Sequence, residues 1–162
     1  TKQKEGLSML MIRDITEADR EEVIAMMKEF YGSPACLHTV PEENFHRTIT
    51  AAIEKSPLAR ILVLEETDQS PAERITGYAN LAITWNNEAG GIQVWFDELF
   101  FKSNARGKGY GTEVFQWLEK EYPQARRIRL EVTHENTRAI SLYERLGYEE
   151  LPYYQMIKDK LS

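Results

Sequence analysis

Residues 92–112 constrain the fold of this 162-residue chain more than any other stretch. An apolar, aromatic-rich run from Ile92 to Phe101 predicts a buried strand. It leads into Arg106-Gly-Lys-Gly-Tyr-Gly111, and a helix is predicted to begin near Tyr110. Because glycine lacks a Cβ and reaches positive φ, several backbone N–H groups of such a turn can point at one anion. The dipole and free N–H groups of the new helix favour a phosphate there, so we predict a pyrophosphate-binding turn.

Spacing decides between the known kinds of phosphate-binding turn. A P-loop needs Lys and then Ser or Thr directly after its last glycine, whereas here Gly111 is followed by Thr and Glu. A dinucleotide-binding fingerprint needs a third Gly or Ala three places after the second glycine, where this chain has Thr112 or Val114. The pattern that remains is Arg-x-x-Gly-x-Gly, which is met by Arg106, Gly109 and Gly111.

A second motif lies downstream at residues 136–148, which read Asn-Thr-Arg-Ala-Ile-Ser-Leu-Tyr-Glu-Arg-Leu-Gly-Tyr. Asn136 is a favourable N-cap residue. Gly147 is typical of the position after a helix C-terminus, and Tyr148 resumes an extended segment. The segment between them predicts a helix with one apolar face, formed by Ala139, Leu142, Tyr143 and Leu146.

Taken together, the two motifs resemble those of the GNAT superfamily of acyl-CoA N-acyltransferases. The central motif of that family is Arg/Gln-x-x-Gly-x-Gly/Ala after the fourth strand, and its closing motif is Asn-x-x-Ala-x-x-x-Tyr-x-x-x-Gly-Phe/Tyr. Both occur here in order and at the expected distance. The resemblance covers residues 9–158 and is specific from Asp97 to Leu151. One departure is Ser103, where many members carry proline.

The resemblance implies the GNAT fold, an α/β (α+β) architecture. A central mixed, mostly antiparallel sheet of about seven strands carries helices on both faces and splays at strands 4 and 5. Hydrophobic periodicity along the chain predicts the order βααβββαβαββ, which agrees with that fold. The predicted strands are 9–15, 59–65, 73–85, 92–101, 128–133, 148–150 and 154–157, and the predicted helices are 16–30, 42–55, 110–122 and 136–146.

Length, charge and cysteine content limit the class of protein. We expect a flexible tail over residues 1–8 and a single N-acetyltransferase domain over residues 9–162. The net charge of −6 and the lack of a basic stripe argue against a nucleic-acid partner, and no apolar run is long enough to span a membrane. A single cysteine, Cys36, excludes an internal disulfide and favours a cytoplasmic location. The scattered histidines and lone cysteine show no metal-ligand pattern.

The resemblance also implies that acetyl-CoA is the cosubstrate and indicates which residues bind it. In the family, the splayed fourth strand pairs with the pantetheine arm through its backbone. Here that strand edge corresponds to Leu99, Phe100 and Phe101, and Asn136 would reach the arm from the other side. The pyrophosphate would lie on the turn formed by Arg106, Gly107, Lys108, Gly109, Tyr110, Gly111 and Thr112.

Acyl transfer to an amine needs a base, an oxyanion donor and an acid for the leaving thiolate. Tyr143 corresponds to the general acid of the family, and a phenol of pKa ~10 can protonate a thiolate of pKa ~8–9. Asp97 and Glu98 are adjacent acids that strand alternation sends to opposite faces. Either can be the base, and we rank Glu98 slightly ahead because its side chain is longer. The oxyanion donor is expected to be a backbone N–H of Leu99 or Phe100.

The acceptor pocket is expected to come from the segment between the first two helices, the β-turn regions and the C-terminal strands. The loop at residues 31–40 is rich in small and functional side chains, which is typical of a binding loop. Aromatic rings there can contact an ammonium group by cation–π interaction. The candidate pocket residues are Tyr31, His38, Trp85, Tyr153 and Tyr154.

These features predict an N-acetyltransferase that transfers acetyl from acetyl-CoA to a primary amine of a small molecule in a ternary complex. A GNAT enzyme that acts on a protein or peptide amine is the alternative within the same class. A non-catalytic CoA-binding module is the alternative from another class, although Tyr143 and the strand acids argue against it. Covalent catalysis by Cys36 is disfavoured, since no Cys-His-Asp arrangement is visible. The resemblance also allows a homodimer.

Overall fold

The computed structural model of the chain describes residues 8–160. These residues form two compact units, one that ends at Glu131 and one that begins at Val132. Apart from Ser8, the predicted tail over residues 1–8 lies outside the described residues. The single domain over residues 9–162 stays a prediction.

The described part of the first unit contains five strands and three α-helices. The strands are β1 (Leu10–Asp14), β2 (Ala59–Glu66), β3 (Ile75–Asn86), β4 (Gly91–Phe101) and β5 (Arg127–Leu130). The helices are α1 (Arg20–Tyr31), α2 (Glu42–Ile53) and α3 (Tyr110–Glu121). Two 3-10 turns, Glu17–Asp19 and Ser103–Ala105, precede α1 and the glycine turn.

The five strands form one mixed sheet in the order β1-β2-β3-β4-β5. Strands β1 to β4 pair antiparallel, and β5 pairs parallel to β4 from Gln93–Arg127 to Phe96–Leu130. This confirms the predicted mixed, mostly antiparallel sheet.

The described second unit contains one helix, α4 (Thr137–Arg145), and no strand over residues 148–160. The two predicted closing strands, 148–150 and 154–157, are therefore wrong, and the sheet formed by residues 8–160 has five strands rather than about seven. A strand needs a partner for its backbone N–H and C=O groups. Large apolar side chains of this segment are exposed, namely Tyr153, Tyr154, Met156 and Ile157.

Helices cover both faces of the sheet, as predicted. Along β2, Ile61 and Val63 lie in the core beneath α1 and α2, while alternation turns Leu62 and Leu64 to the opposite face. That opposite face packs on α3. On that face, Phe96 of β4 and Phe115 of α3 stack with ring centres 4.6 Å apart.

A register shift interrupts the pairing of β3 with β4. Asn80 pairs with Glu98, but the next residue of β3, Leu81, pairs with Phe96. Asp97 therefore has no partner on β3 and forms a β-bulge. One extra residue in a strand inverts the alternation of side chains beyond it.

The bulge reverses which side chains of β4 face each layer of helices. Phe96 packs on Phe115 of α3, whereas Phe100 lies on the other face, 6.1 Å from the ring of Tyr78 in the α1–α2 core. In a regular strand Phe96 and Phe100 would share one face, because they are four residues apart. The bulge also turns Glu98 towards the α1–α2 face, beside Tyr78.

The pairing between β4 and β5 ends just before the bulge. Phe96–Leu130 is the last pair, while β4 continues to Phe101. Within the described part of the first unit, no strand covers residues 97–101 on the side away from β3. This agrees with the predicted splay of the fourth and fifth strands.

Gly77 allows β3 to approach the end of β4. A Cβ at this residue would lie 2.3 Å from the backbone oxygen of Phe100 and 3.3 Å from a side-chain carbon of Leu64. The first distance is far inside a van der Waals contact and involves backbone, which cannot rotate away. The close approach of β3 to Phe100 therefore requires glycine at this position.

We expect Gly77→Ala to lower the free energy of unfolding by about 3 kcal/mol, because overpacking beside backbone forces the strands apart. Gly90→Ala is the control, since a Cβ there meets no atom within 4 Å and only its positive φ of 79° opposes the change. That control should cost about 1 kcal/mol. Urea unfolding of both variants measures the difference, and equal losses would contradict the assigned close approach.

Candidate functional site

The glycine turn after β4 exposes its backbone to open space. Gly107 and Gly109 have φ of 77° and 80°, and a Cβ at either residue would meet no atom within 4 Å. Helix α3 begins directly after it, with Gly109 as its N-cap residue and no side chain capping the helix. The sequence therefore predicted both the turn and the helix start correctly.

The N–H groups of this turn have no acceptor among residues 8–160. None of the backbone N–H groups of residues 107–112 donates a hydrogen bond to the described chain, and the first such bond in α3 runs from Glu113 to the Gly109 oxygen at 3.3 Å. A helix N-terminus with free N–H groups and a favourable dipole is suited to a phosphate. The turn can therefore bind an anion through its amides.

Both cationic side chains of the turn are held by other groups. The Nε of Arg106 donates to the Phe101 backbone oxygen at 2.9 Å, and its guanidinium carbon lies 5.6 Å from the centre of the Phe100 ring. The Nζ of Lys108 lies 3.1 and 3.2 Å from the two carboxylate oxygens of Glu66. The turn thus presents amides outward, while its charged side chains are tied to the protein.

The open edge of β4 leads directly to the turn. Leu99 and Phe101 are half-buried and Phe100 is buried. The ring of Phe101 lies 6.1 Å from that of Tyr110, the first residue of α3. An extended ligand that pairs with this edge would therefore reach the glycine turn.

Glu98 is a buried carboxylate that two neutral side chains hold. It is 7% exposed, and its oxygens accept hydrogen bonds from the Tyr78 hydroxyl at 2.8 Å and the Asn80 amide at 2.7 Å. Burial and the charge of Glu98 raise the pKa of Tyr78, so its hydroxyl remains a donor. No described cation forms an ion pair with Glu98, and a carboxylate still has lone pairs for another donor.

The end of α1 and the loop after it lie near the same carboxylate. Tyr31 stacks on Phe45 with ring centres 5.4 Å apart, and burial followed by the charge of Glu98 raises its pKa. Burial and the charge of Glu98 also raise the pKa of Cys36. A raised pKa keeps the thiol protonated near neutral pH, which argues against a thiolate nucleophile.

Asp97 has a different environment from Glu98. Its side chain lies at an exposed position on the bulge. Partial desolvation raises its pKa to about 6, and repulsion by the charges of Glu98 and Glu131 adds to the shift. The two adjacent acids therefore differ in surroundings: Glu98 is buried, whereas Asp97 is the exposed residue of the bulge.

The structure groups only some of the predicted acceptor residues. Tyr31 lies close enough to Glu98 for that charge to contribute to its raised pKa. Trp85 is 71% exposed and pairs with Ile92 at the far end of the β3–β4 hairpin. His38 is exposed in the loop between α1 and α2. Tyr153 and Tyr154 are exposed residues of the second unit.

Two residues that contact Glu98, Tyr78 and Asn80, were missed by the sequence reasoning, which considered Cys36 only as a nucleophile. Asn80 did carry a signal, because an amide in an otherwise apolar strand usually has a specific partner. Tyr78 lies two residues earlier and so on the same face. Which residue of β4 both would contact depends on the bulge, which the local pattern does not reveal.

The second unit carries the closing motif. The Oδ1 of Asn136 accepts a hydrogen bond from the Ala139 N–H at 3.3 Å, so Asn136 caps α4 as predicted. Gly147 has φ of 91°, which fits the predicted end of the helix. Burial raises the pKa of Tyr143, and its ring lies 6.1 Å from that of Tyr148. The phenol of Tyr143 is therefore kept protonated.

Residues 8–160 lack two kinds of feature. No helix among them combines the length and apolar content needed to cross a bilayer. No three or more of their His, Cys, Asp and Glu side chains lie close enough together to hold a metal ion.

Solved structures share this fold at low sequence identity. A possible acetyltransferase from Clostridium difficile 630 has a TM-score of 0.75 at 15% identity, over 96% of this chain and 100% of that chain. AAC(6')-Iy in complex with the bisubstrate analogue CoA-S-monomethyl-acetylneamine has a TM-score of 0.72 at 14% identity, over 95% of this chain and 100% of that chain. An integron cassette protein from the mobile metagenome of Cole Harbour Salt Marsh has a TM-score of 0.71 at 25% identity, over 93% of this chain and 91% of that chain.

Family-level similarity in sequence accompanies this likeness in fold. No curated protein sequence matches the chain significantly. The family model described as Acetyltransferase (GNAT) family does match, over residues 20–148. That range includes the glycine turn, the strand acids and the closing motif, and it covers well over half of the chain. The chain therefore belongs to the GNAT family of acetyltransferases.

Proposed function

We propose that the protein transfers the acetyl group of acetyl-CoA to a primary amine of a small molecule. The amine attacks the thioester directly while both substrates are bound. One observation carries the proposal: the N–H groups of residues 107–112 lack acceptors in the described chain, at a helix start that follows an open strand edge. Membership of the acetyltransferase family supplies the class of reaction.

The cofactor would use this backbone in two ways. The diphosphate of CoA would accept hydrogen bonds from the amides of residues 107–112, where the dipole of α3 favours negative charge. The pantetheine arm would pair with the open edge at Leu99–Phe101 like an added strand. Asn136, whose Oδ1 caps α4, is the proposed contact on the other side of the arm.

The acceptor amine would approach Glu98 from the side of α1 and α2. An ammonium ion is attracted to a buried carboxylate that no described cation neutralises, and Tyr31 lies in the same electrostatic environment. Glu98 would take the amine proton through its remaining lone pairs, directly or through a water molecule. Asp97 is the second candidate for the base, because a pKa of about 6 suits proton abstraction near neutral pH.

Two further groups would complete the transfer. As the amine nitrogen bonds to the acetyl carbon, a backbone N–H of Leu99 or Phe100 would stabilise the oxyanion. Tyr143 would then give its phenolic proton to the departing thiolate of CoA. The phenol is protonated near neutral pH and so can donate this proton, and burial, which raises its pKa, makes it a weaker acid.

A small molecule is preferred over a peptide as the acceptor. AAC(6')-Iy, which has a similar fold, was solved with a bisubstrate analogue that joins CoA to an acetylneamine. A GNAT fold can therefore place a small-molecule acceptor beside CoA, which supports the same arrangement here. A cytoplasmic location, which the single cysteine favours, and a homodimer, which the resemblance allows, belong to the proposal as well.

The proposed activity predicts CoA binding and amine-dependent release of CoA thiol. We expect calorimetry to detect CoA binding and a thiol assay to detect turnover of acetyl-CoA with at least one member of an amine panel. Tyr143→Phe should lower kcat about 10²-fold, because general acid catalysis contributes at least that much, and should leave CoA affinity within about twofold. Absence of CoA binding by the wild-type protein would overturn the proposal. Binding without thiol release for every amine would favour a non-catalytic module.

Glu98→Gln and Asp97→Asn form a matched pair that identifies the base. We expect Glu98→Gln to lower kcat/KM for the amine by about 10²-fold or more, because it cannot accept the proton. Asp97→Asn should stay within about tenfold of wild type. Steady-state kinetics with saturating acetyl-CoA measures both. The reverse order would assign the base to Asp97.

The raised pKa of Asp97 also predicts a pH-dependent effect on stability. The ordinary pKa is about 3.9 and the folded value is about 6, so ionised Asp97 destabilises the folded state at a pH above 6 and has no such effect below the unfolded pKa. Asp97→Asn should therefore raise Tm relative to wild type at pH 8, and the gain should disappear between pH 6 and pH 4. Thermal unfolding across this range tests it, with exposed Asp159→Asn as the charge control. A gain that is the same at pH 4 and pH 8 would contradict the assignment.

A further inference from the structure

We infer that Glu66 is a positioning residue for the CoA diphosphate: it holds the Lys108 ammonium behind the glycine turn, so that Lys108 fixes the turn instead of contacting phosphate. The inference rests on the proposed function, since it concerns how the same turn binds CoA. It changes the role of Lys108, because only its backbone N–H would face the ligand.

The contact joins two distant parts of the chain. Glu66 is the last residue of β2, and its side chain is 4% exposed. The Nζ of Lys108 reaches both of its oxygens, at 3.1 and 3.2 Å, across 42 positions of sequence. Gln69 adds a longer hydrogen bond to the same carboxylate, at 3.4 Å. The end of β2 therefore supports the turn from behind.

The turn needs such an anchor because of its glycines. Lys108 is flanked by Gly107 and Gly109, both at positive φ and both without neighbours where a Cβ would lie. Glycine has more backbone freedom than any other residue, so a turn of this kind loses entropy when it adopts one conformation. The ion pair of Lys108 with a buried partner restricts the turn before any ligand arrives.

Charge makes the pair matter for an anionic ligand. If Lys108 were removed, Glu66 would be a buried carboxylate without its cation. Removing one partner of such a pair costs more free energy than removing both, because the remaining charge is left buried and uncompensated. It would also repel a diphosphate on the far side of the turn. Lys108 thus neutralises Glu66, and the amides in front remain the groups that bind.

A double-mutant cycle of Lys108 and Glu66, with CoA affinity as the readout, shows whether the Lys108 side chain anchors the turn or contacts the phosphates directly. We expect Lys108→Met to weaken CoA binding at least tenfold in the wild-type background, because the bare Glu66 carboxylate remains. In the Glu66→Gln background, the same substitution should weaken binding less than threefold. Calorimetry with CoA measures all four proteins. Equal losses in the two backgrounds would mean that Lys108 contacts the phosphates directly, and would overturn the inference.

A truncated donor provides a second readout that general destabilisation would not reproduce. S-acetylpantetheine lacks the diphosphate, so Lys108→Met should raise KM for acetyl-CoA and leave KM for S-acetylpantetheine unchanged. Equal rises for both donors would contradict a role specific to the turn. The exposed pair of Lys28 and Glu42, whose atoms are 2.8 Å apart, supplies the control cycle, Lys28→Met with Glu42→Gln, and should show no coupling.

If Lys108→Met fails to fold, the double variant keeps the inference testable, because it removes both charges. The double variant should bind CoA within threefold of Glu66→Gln, and a tenfold loss would overturn the anchor role. The proposed function is tested by a different outcome: it would be contradicted if the wild-type protein did not bind CoA at all. If the wild-type protein binds CoA but the cycle shows no coupling between Glu66 and Lys108, only the inferred role of Glu66 would be contradicted.

Discussion

The extra residue in β4 is the constraint on which the rest of the structure depends. Because Asp97 has no partner on β3, the side chains of β4 change faces at this point. Phe96 packs on α3 before it, while Glu98 and Phe100 face α1 and α2 after it. The bulge thus places an acid in contact with Tyr78 and Asn80. It also coincides with the end of β5 pairing, which leaves the last part of β4 open along one edge.

The glycine turn illustrates how an anion site can be built from backbone rather than from charged side chains. The Nε of Arg106 donates to the Phe101 carbonyl and Lys108 pairs with the Glu66 carboxylate, so both side chains already have partners within the protein. The amides of residues 107–112 and the dipole of α3 remain as the groups that favour negative charge. Such fixed dipoles need no rearrangement when a ligand binds.

The sequence predicted those parts of the fold that depend on local patterns. Long apolar strands, the N-cap at Asn136, the helix end at Gly147 and the glycine turn all have short-range signals, and the structure confirms them. The closing strands at 148–150 and 154–157 were predicted wrongly, because a short segment forms a strand only when a neighbouring strand pairs with its backbone. The contacts of Glu98 and of Lys108 could not be predicted, since one depends on a register shift and the other spans 42 residues.

The central claim is that the turn amides and the open edge of β4 bind CoA together, and amide NMR tests it most directly. In a titration of the ¹⁵N-labelled protein with CoA, the account predicts that the N–H signals of residues 107–112 and 99–101 shift in parallel and saturate at one equivalent. Signals from β1 and α2 should stay in place. CoA binding that shifts other signals and leaves the turn and the strand edge unchanged would contradict the account.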